Sequence, residues 1–165
     1  QFRLAKSGER IPAFEEVLNL VAGKAPLIVE YKLDRPLTLV CELGNELLSR
    51  YQGEYCIESF HPFALMWYKK HRPDVLRGQL SGKLSKETKD PQKKIYYSLV
   101  SYLLTNILTR PDFIAYDHQY VNNISRRVCK WLGALSVTYT VKSVERYEEV
   151  KNDFDLFIFD SCILK

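Results

Sequence analysis

Glu30 and Lys32 stand two residues apart at the end of the apolar run Leu27-Ile28-Val29-Glu30-Tyr31-Lys32. Side chains on a β-strand alternate faces, so this spacing puts the carboxylate and the ammonium on one face and Tyr31 on the other. Such a pair can hold a hard divalent cation with the carboxylate and neutralise a phosphate with the ammonium. An ordinary ion pair at a solvated strand end has the same residues and spacing, and spacing alone leaves both readings open.

Three other features bear on chemistry. Ser59-Phe60, after the strand-like Tyr55 to Glu58, could bring a hydroxyl and an aromatic wall to a site; a strand-to-helix turn before Pro62 explains Ser59 equally well. Tyr139 could line a substrate pocket or be a core tyrosine with a satisfied hydroxyl. His61, His71 and His118 lack the i, i+4 spacing of a metal helix and have no adjacent Cys or Glu motif, so they are set aside as ligands or general bases. The chain has no nucleophile elbow, Walker loop or G-x-G-x-x-G.

The elements that must position these residues alternate between two periods. Phe14, Val17, Leu18 and Val21 follow a helical stripe, with Pro12 suited to its first turn and Gly23 ending it. A strand over Leu27 to Lys32 follows. A second helix carries Leu37, Val40, Cys41, Leu47, Leu48 and Tyr51 and is started by Asp34 to Pro36; then come a strand at Tyr55 to Phe60 and a helix from Pro62 to His71. A weak strand at Val75 to Leu80, a polar loop from Ser81 to Gln92 and a helix from Lys93 to Leu108 come next. Asp112 to Tyr116 is a fourth strand, Val121 to Trp131 a helix closed by Gly133, and Leu135 to Val141 a fifth strand. Ser143 caps a last helix before the sixth strand, Leu156 to Phe159. Strand alternating with helix means βαβ units and a parallel sheet. Polar and aromatic residues recurring at strand ends (Glu30 and Lys32, Ser59 and Phe60, Gln79, Tyr116 and Asp117, Tyr139 and Thr140) favour a TIM-type (β/α)8 barrel of the α/β class. An open doubly wound sheet also binds at strand ends.

With 165 residues, 46% hydrophobic, the chain is expected to be a single domain over 1–165 with a real core. Lys plus Arg exceed Asp plus Glu by 24 to 20, a balance that does not indicate nucleic acid. The dense basic run Lys83, Lys86, Lys89, Lys93 and Lys94 reads as a solvated loop. Cys41, Cys56, Cys129 and Cys162 are scattered without C-x-x-C and read as reduced, mostly buried thiols of a cytoplasmic protein. No stretch approaches the roughly 20 apolar residues of a membrane span. The Lys-rich loop and the neighbouring Tyr96, Tyr97, Leu99, Tyr102, Leu103 and Leu104 could touch a membrane surface, but a core-facing helix after a solvated loop accounts for the same residues.

Several of these segments together resemble the glycerophosphodiester phosphodiesterase family. Ile11-Pro12-Ala13-Phe14-Glu15-Glu16-Val17-Leu18 followed by Leu27-Ile28-Val29-Glu30-Tyr31-Lys32 is similar to its "I-P-T-L-E-E-V-L … L-I-E-I-K" run. Ser59-Phe60-His61-Pro62 resembles "S-F-[DN]-P", Val137-Thr138-Tyr139-Thr140-Val141 resembles "V-x-W-T-V", and Leu156-Phe157-Ile158-Phe159-Asp160 resembles "D-G-I-I-T-D". The resemblance implies a TIM barrel, of which this chain supplies about the last six strands. It also implies hydrolysis of glycerophosphodiesters to an alcohol and glycerol 3-phosphate, assisted by Mg2+ or Ca2+. Glu30 would bind the metal, Lys32 would stabilise phosphate charge as a catalytic residue, and Phe60 and Tyr139 would wall the glycerol pocket.

The departures from the family pattern are specific. The family's His-Arg-Gly, Glu-x-Asp and His-Asp motifs precede the segment matched at Ile11, whereas Gln1 to Arg10 contains neither His nor Asp. The expectation is therefore a chain that lacks the amino-terminal catalytic strands and is inactive alone. Open sheet edges would invite pairing with another chain. The alternative is a non-catalytic barrel-like module that binds a phosphorylated ligand or a partner. Tyr139 also replaces a frequent Trp, and His61 a usual Asp, Asn or Glu.

Overall fold

The computed structural model describes residues 2–33, 38–83 and 91–162, the side chains of 91–94 excepted. Six parallel strands form one sheet: β1 (Leu27–Glu30), β2 (Tyr55–Ser59), β3 (Arg77–Ser81), β4 (Phe113–Asp117), β5 (Leu135–Val141) and β6 (Leu156–Phe159). Their spatial order is their chain order, β1-β2-β3-β4-β5-β6. A doubly wound sheet reverses direction at a switch point, and a barrel does not. The consecutive order removes the open-sheet alternative and leaves a curled half-barrel. Its edges are β1 and β6, and the inward-facing Ile28 and Leu156 there are each 52% exposed.

Helices cover the outer face. They are α1 (Phe14–Val21), α2 (Leu39–Leu48), α3 (Pro62–His71), α4 (Pro91–Ser101), α5 (Asn106–Thr109), α6 (Ile124–Trp131) and α7 (Val144–Val150), with a 3-10 turn at His118–Tyr120. Two cores lie between sheet and helices. One joins Tyr31 and Ile57 to Leu18, Cys41, Leu48, Leu65 and Tyr68; the other joins Ile114 and Tyr116 to Leu103, Val150 and Phe154. A third, Leu80, Phe113, Ala115 and Val137 with Cys56, Phe60, Tyr139 and Ile158 against them, fills the barrel interior.

Several boundaries differ from the sequence reading for physical reasons. Pro12 lies outside α1, whose N-cap position is Ala13; the cap comes from Glu16, whose carboxylate accepts from the Ala13 N–H at 2.7 Å. The weak third strand is fully buried. It reads as weak because Arg77, Gln79 and Ser81 are polar, yet they face the helices, where the Ser81 hydroxyl donates to Val100 O and Arg77 meets Asp112. Ser81 therefore belongs to β3 and not to the polar loop, and the helix placed from Lys93 to Leu108 is two, with Leu103 at φ 55 between them. Asp34 to Pro36, Lys86 and Lys89, and the side chains of Lys93 and Lys94, lie outside what is described. Ser143 does cap α7, accepting from the Arg146 N–H at 3.2 Å. All four cysteines are free, but only Cys41 is fully buried. No described helix is long and apolar enough to cross a membrane.

Candidate active site

The interior face of the arc follows from strand register. Glu30 pairs with Glu58, and Glu58 with Gly78; Gly78 in turn pairs with Phe113 of the interior core. Residues two apart share a face, so Cys56, Glu58 and Phe60 of β2 project inward together. On β1, Glu30 points the same way. Tyr31 points outward into the helix layer, where its hydroxyl meets that of Tyr68 at 2.7 Å and burial lifts its ionisation to about 12. Lys32 returns to the face of Glu30, with 3.5 Å between Nζ and Oε2. The Lys32 side chain is mostly in solvent, at 80% exposure, while the Glu30 side chain is 31% exposed.

Phe60 and Tyr139 come together across the interior, edge to face, with ring centroids 6.1 Å apart. The Tyr139 hydroxyl donates to Ser81 O at 2.6 Å. Burial first, then the charges of Asp117 and Glu58, push that hydroxyl well above its ordinary range, so it remains a protonated donor. Ser59, by contrast, turns away from the interior. Its hydroxyl donates to Tyr31 O at 2.6 Å and accepts from the His61 N–H, which is the strand-to-helix turn. Gln79 and Tyr116 face the helix side as well: Gln79 Nε2 lies near the carbonyls of Ser59, Phe60 and Leu80, and the Tyr116 hydroxyl donates to Ser101 O.

The described histidines are occupied structurally. His61 Nδ1 accepts from the Phe63 N–H at the start of α3, and burial lowers its pKa. His118 Nδ1 accepts from Arg146 Nε at 2.9 Å, which leaves Nε2–H for Thr140 O at 3.1 Å. His71 Nδ1 lies 2.9 Å from Trp67 O on the surface.

Glu58 is the interior residue that the sequence reading passed over. It is 7% exposed, its Oε2 has no hydrogen-bond partner among the described residues, and burial together with the charge of Glu30 pushes its carboxyl up to about 7. Counting back two from Phe60 would have placed it on the interior face. Among the described residues no group of three or more His, Cys, Asp or Glu is arranged to hold a metal. A hard cation needs less from the protein, because Mg2+ binds through one or two carboxylates and takes its other oxygens from water and phosphate. Glu30, on the interior face with an unpartnered buried carboxylate oxygen on the next strand, fits such an ion.

No protein-family model matches the chain, and no curated protein matches it in sequence. Solved structures do match in fold. A glycerophosphodiester phosphodiesterase from Parabacteroides distasonis has a TM-score of 0.71 at 18% identity, over 96% of this chain and 63% of its own. An Oleispira antarctica phosphodiesterase in complex with the product sn-glycerol-3-phosphate has a TM-score of 0.66 at 15% identity, over 90% and 57%. The Thermotoga maritima glycerophosphodiester phosphodiesterase reaches 0.59 at 14%, over 90% and 59%. The chain thus spans about three fifths of the length of these structures. Its partial TIM barrel is the fold the family resemblance implied.

Proposed function

We propose that this arc of barrel serves metal-dependent hydrolysis of glycerophosphodiesters to an alcohol and glycerol 3-phosphate. The observation that carries the reading is the placement of Glu30 and Lys32 on the interior face, 3.5 Å apart, within a fold shared with glycerophosphodiester phosphodiesterases. A divalent ion, Mg2+ or Ca2+, would supply Lewis-acid stabilisation of phosphoryl charge. Glu30 would hold it. Lys32, exposed and unburdened by packing, can swing from Glu30 to a phosphate oxygen as negative charge develops there. The Phe60 and Tyr139 rings would pack the carbon skeleton of the glycerol moiety, with the Tyr139 hydroxyl held by Ser81 O so that the ring keeps its angle.

His61, His71 and His118 each have a structural partner, so proton transfer would come from groups outside these residues, and the 165-residue chain assayed alone is expected to be inactive. The substrate is a small soluble diester, with no role for nucleic acid or a membrane surface, and the cytoplasm is the compartment proposed. Pairing with another polypeptide through the open edges at β1 and β6 belongs to the same proposal. The test is release of glycerol 3-phosphate from glycerophosphocholine by the full-length gene product. Release that needs Mg2+ or Ca2+, stops with EDTA and falls strongly in Glu30→Gln supports the reading. Metal-independent release, or none from any glycerophosphodiester, removes it.

The same fold could serve as a non-catalytic module that binds a phosphorylated ligand. The structurally engaged histidines are the observation that favours it, and phosphate-ester binding without turnover in the full-length protein would establish it.

A further inference from the structure

We propose that Glu58 is a second metal-binding carboxylate, which with Glu30 forms a two-carboxylate seat for one divalent cation on the interior face of the arc. The inference rests on the metal-dependent reading above and adds to it a residue outside the segments that carry the family resemblance.

Geometry comes first. Glu30 and Glu58 are register partners on adjacent parallel strands. Neighbouring strands lie roughly 4.8 Å apart, and side chains of register partners leave the sheet in the same direction. Two carboxylates so placed can both reach one ion at roughly 2.0 to 2.6 Å.

The second observation is the missing partner. A carboxylate that is 93% buried is normally met by hydrogen bonds or a cation, because an unpaired buried charge is expensive. Nothing described donates to Glu58 Oε2. Its surroundings explain why. Across the strand pair it faces Gly78, which has no side chain, and beyond that the ring of Phe113, which lies where a Gly78 Cβ would project. Lys32 approaches Glu30 Oε2 and is largely in solvent.

A side chain kept for packing would be Gln or an aliphatic residue here, since either avoids burying a charge. A divalent ion resolves the conflict: it satisfies the orphan oxygen, cancels the repulsion between the two glutamates and leaves coordination positions open for water and phosphate oxygens.

The probe is Mn2+, titrated calorimetrically into the full-length protein and into Glu58→Gln, Glu30→Gln and the double variant. Both single variants are expected to bind at least about 10-fold more weakly, the smallest loss typical even of residues one shell outside the ligands. The double variant should lose far less than the sum of the two, because both residues serve one ion. Thermal unfolding provides the independent readout. At one Mn2+ concentration the midpoint of the parent should rise by more than that of Glu58→Gln, while in EDTA Glu58→Gln should be at least as stable as the parent. Should the Gln variant fail to fold, Glu58→Asp keeps the charge and shortens the reach, and it too should bind Mn2+ more weakly. Unchanged Mn2+ affinity in a folded Glu58 variant, or no Mn2+ binding by the parent, overturns the assignment. Mn2+ binding that needs both glutamates without any diester hydrolysis would keep this site and defeat the phosphodiesterase reading, whereas hydrolysis with Glu58→Gln indistinguishable from the parent does the reverse.

Discussion

The β1–β2 end of the sheet and its β3–β5 centre are both rich in polar residues, and they use them in opposite ways. In the centre the polar side chains face the helices or neighbouring strands and give their hydrogens to backbone carbonyls. Gln79 reaches the carbonyls after β2, Ser81 reaches Val100 O, Tyr116 reaches Ser101 O, and Thr138 reaches Tyr116 O. Gln79 Oε1 and the Arg77 Nε–H go without a hydrogen-bond partner among the described residues, but the first is neutral and the Arg77 guanidinium is met through its other nitrogens by Val75 O and Asp112. At the β1–β2 end Ser59 likewise donates to Tyr31 O, but the charged residues Glu30 and Glu58 face the barrel interior, where Glu30 meets the solvated Lys32 and Glu58 Oε2 meets none of the described groups. Polarity in the centre is taken up by hydrogen bonds, whereas the interior carboxylates at the β1–β2 end are not so engaged among the described residues.

The contrast can be broken most forcefully in the centre. Phe113→Ala removes a ring that is 7% exposed and packed over Gly78, and it should cost about 3 to 5 kcal/mol in urea unfolding. Glu58→Gln in EDTA should cost nothing by the same measurement. If the two variants lose comparable stability, Glu58 is part of the construction and the distinction fails.

Lys32→Met sharpens the other side. Because the side chain is 80% exposed, stability should move by no more than about 0.5 kcal/mol. Turnover of a glycerophosphodiester by the metal-loaded full-length protein should fall by about 10² to 10³, with KM changing much less, as expected of a group whose interaction grows in the transition state. A rise in KM at constant kcat would reduce Lys32 to ground-state binding.

Smaller effects are expected where the two regions meet. Tyr139→Phe deletes the 2.6 Å bond to Ser81 O and should cost about 1 kcal/mol, read from thermal unfolding. His61 should add a mild pH dependence. Burial holds its folded pKa below the ordinary 6.5, and Nδ1 must be neutral to accept from the Phe63 N–H. Its contribution is therefore complete above about pH 6.5 and declines as pH falls through the lower folded value. His61→Asn should retain the cap and lose that pH dependence, which unfolding curves from pH 7.5 to 5 would show.

The positions where sequence and structure agree share a clear periodic signal. Alternation along Glu30-Tyr31-Lys32 placed the first and third residues together, and the strands at Leu135–Val141 and Leu156–Phe159 and the helix Pro62–His71 have the bounds their patterns predict. His61, where the resembled motif usually has Asp, Asn or Glu, serves as the N-cap of α3, its imidazole nitrogen accepting from the Phe63 N–H. Glu58 was obscured because both faces of a barrel strand are buried, so Tyr55 to Ser59 shows no apolar-polar alternation to say which face is the interior. The break after α4 depends on Leu103 adopting a left-handed conformation, which no glycine or proline announces. Strand order is set by tertiary pairing, to which the alternation of strand and helix along the sequence is blind, so the sequence alone is compatible with both barrel and open sheet.

The central claim is that Glu30 and Glu58 together hold a cation at the β1–β2 end. Anomalous scattering from crystals of the full-length protein soaked in Mn2+ tests it most directly. The account predicts one metal peak on the interior face within roughly 2.0 to 2.6 Å of carboxylate oxygens from both residues. A peak bonded to Glu30 with Glu58 turned away, or Glu58 Oε2 hydrogen-bonded to a protein donor with no metal beside it, would contradict it.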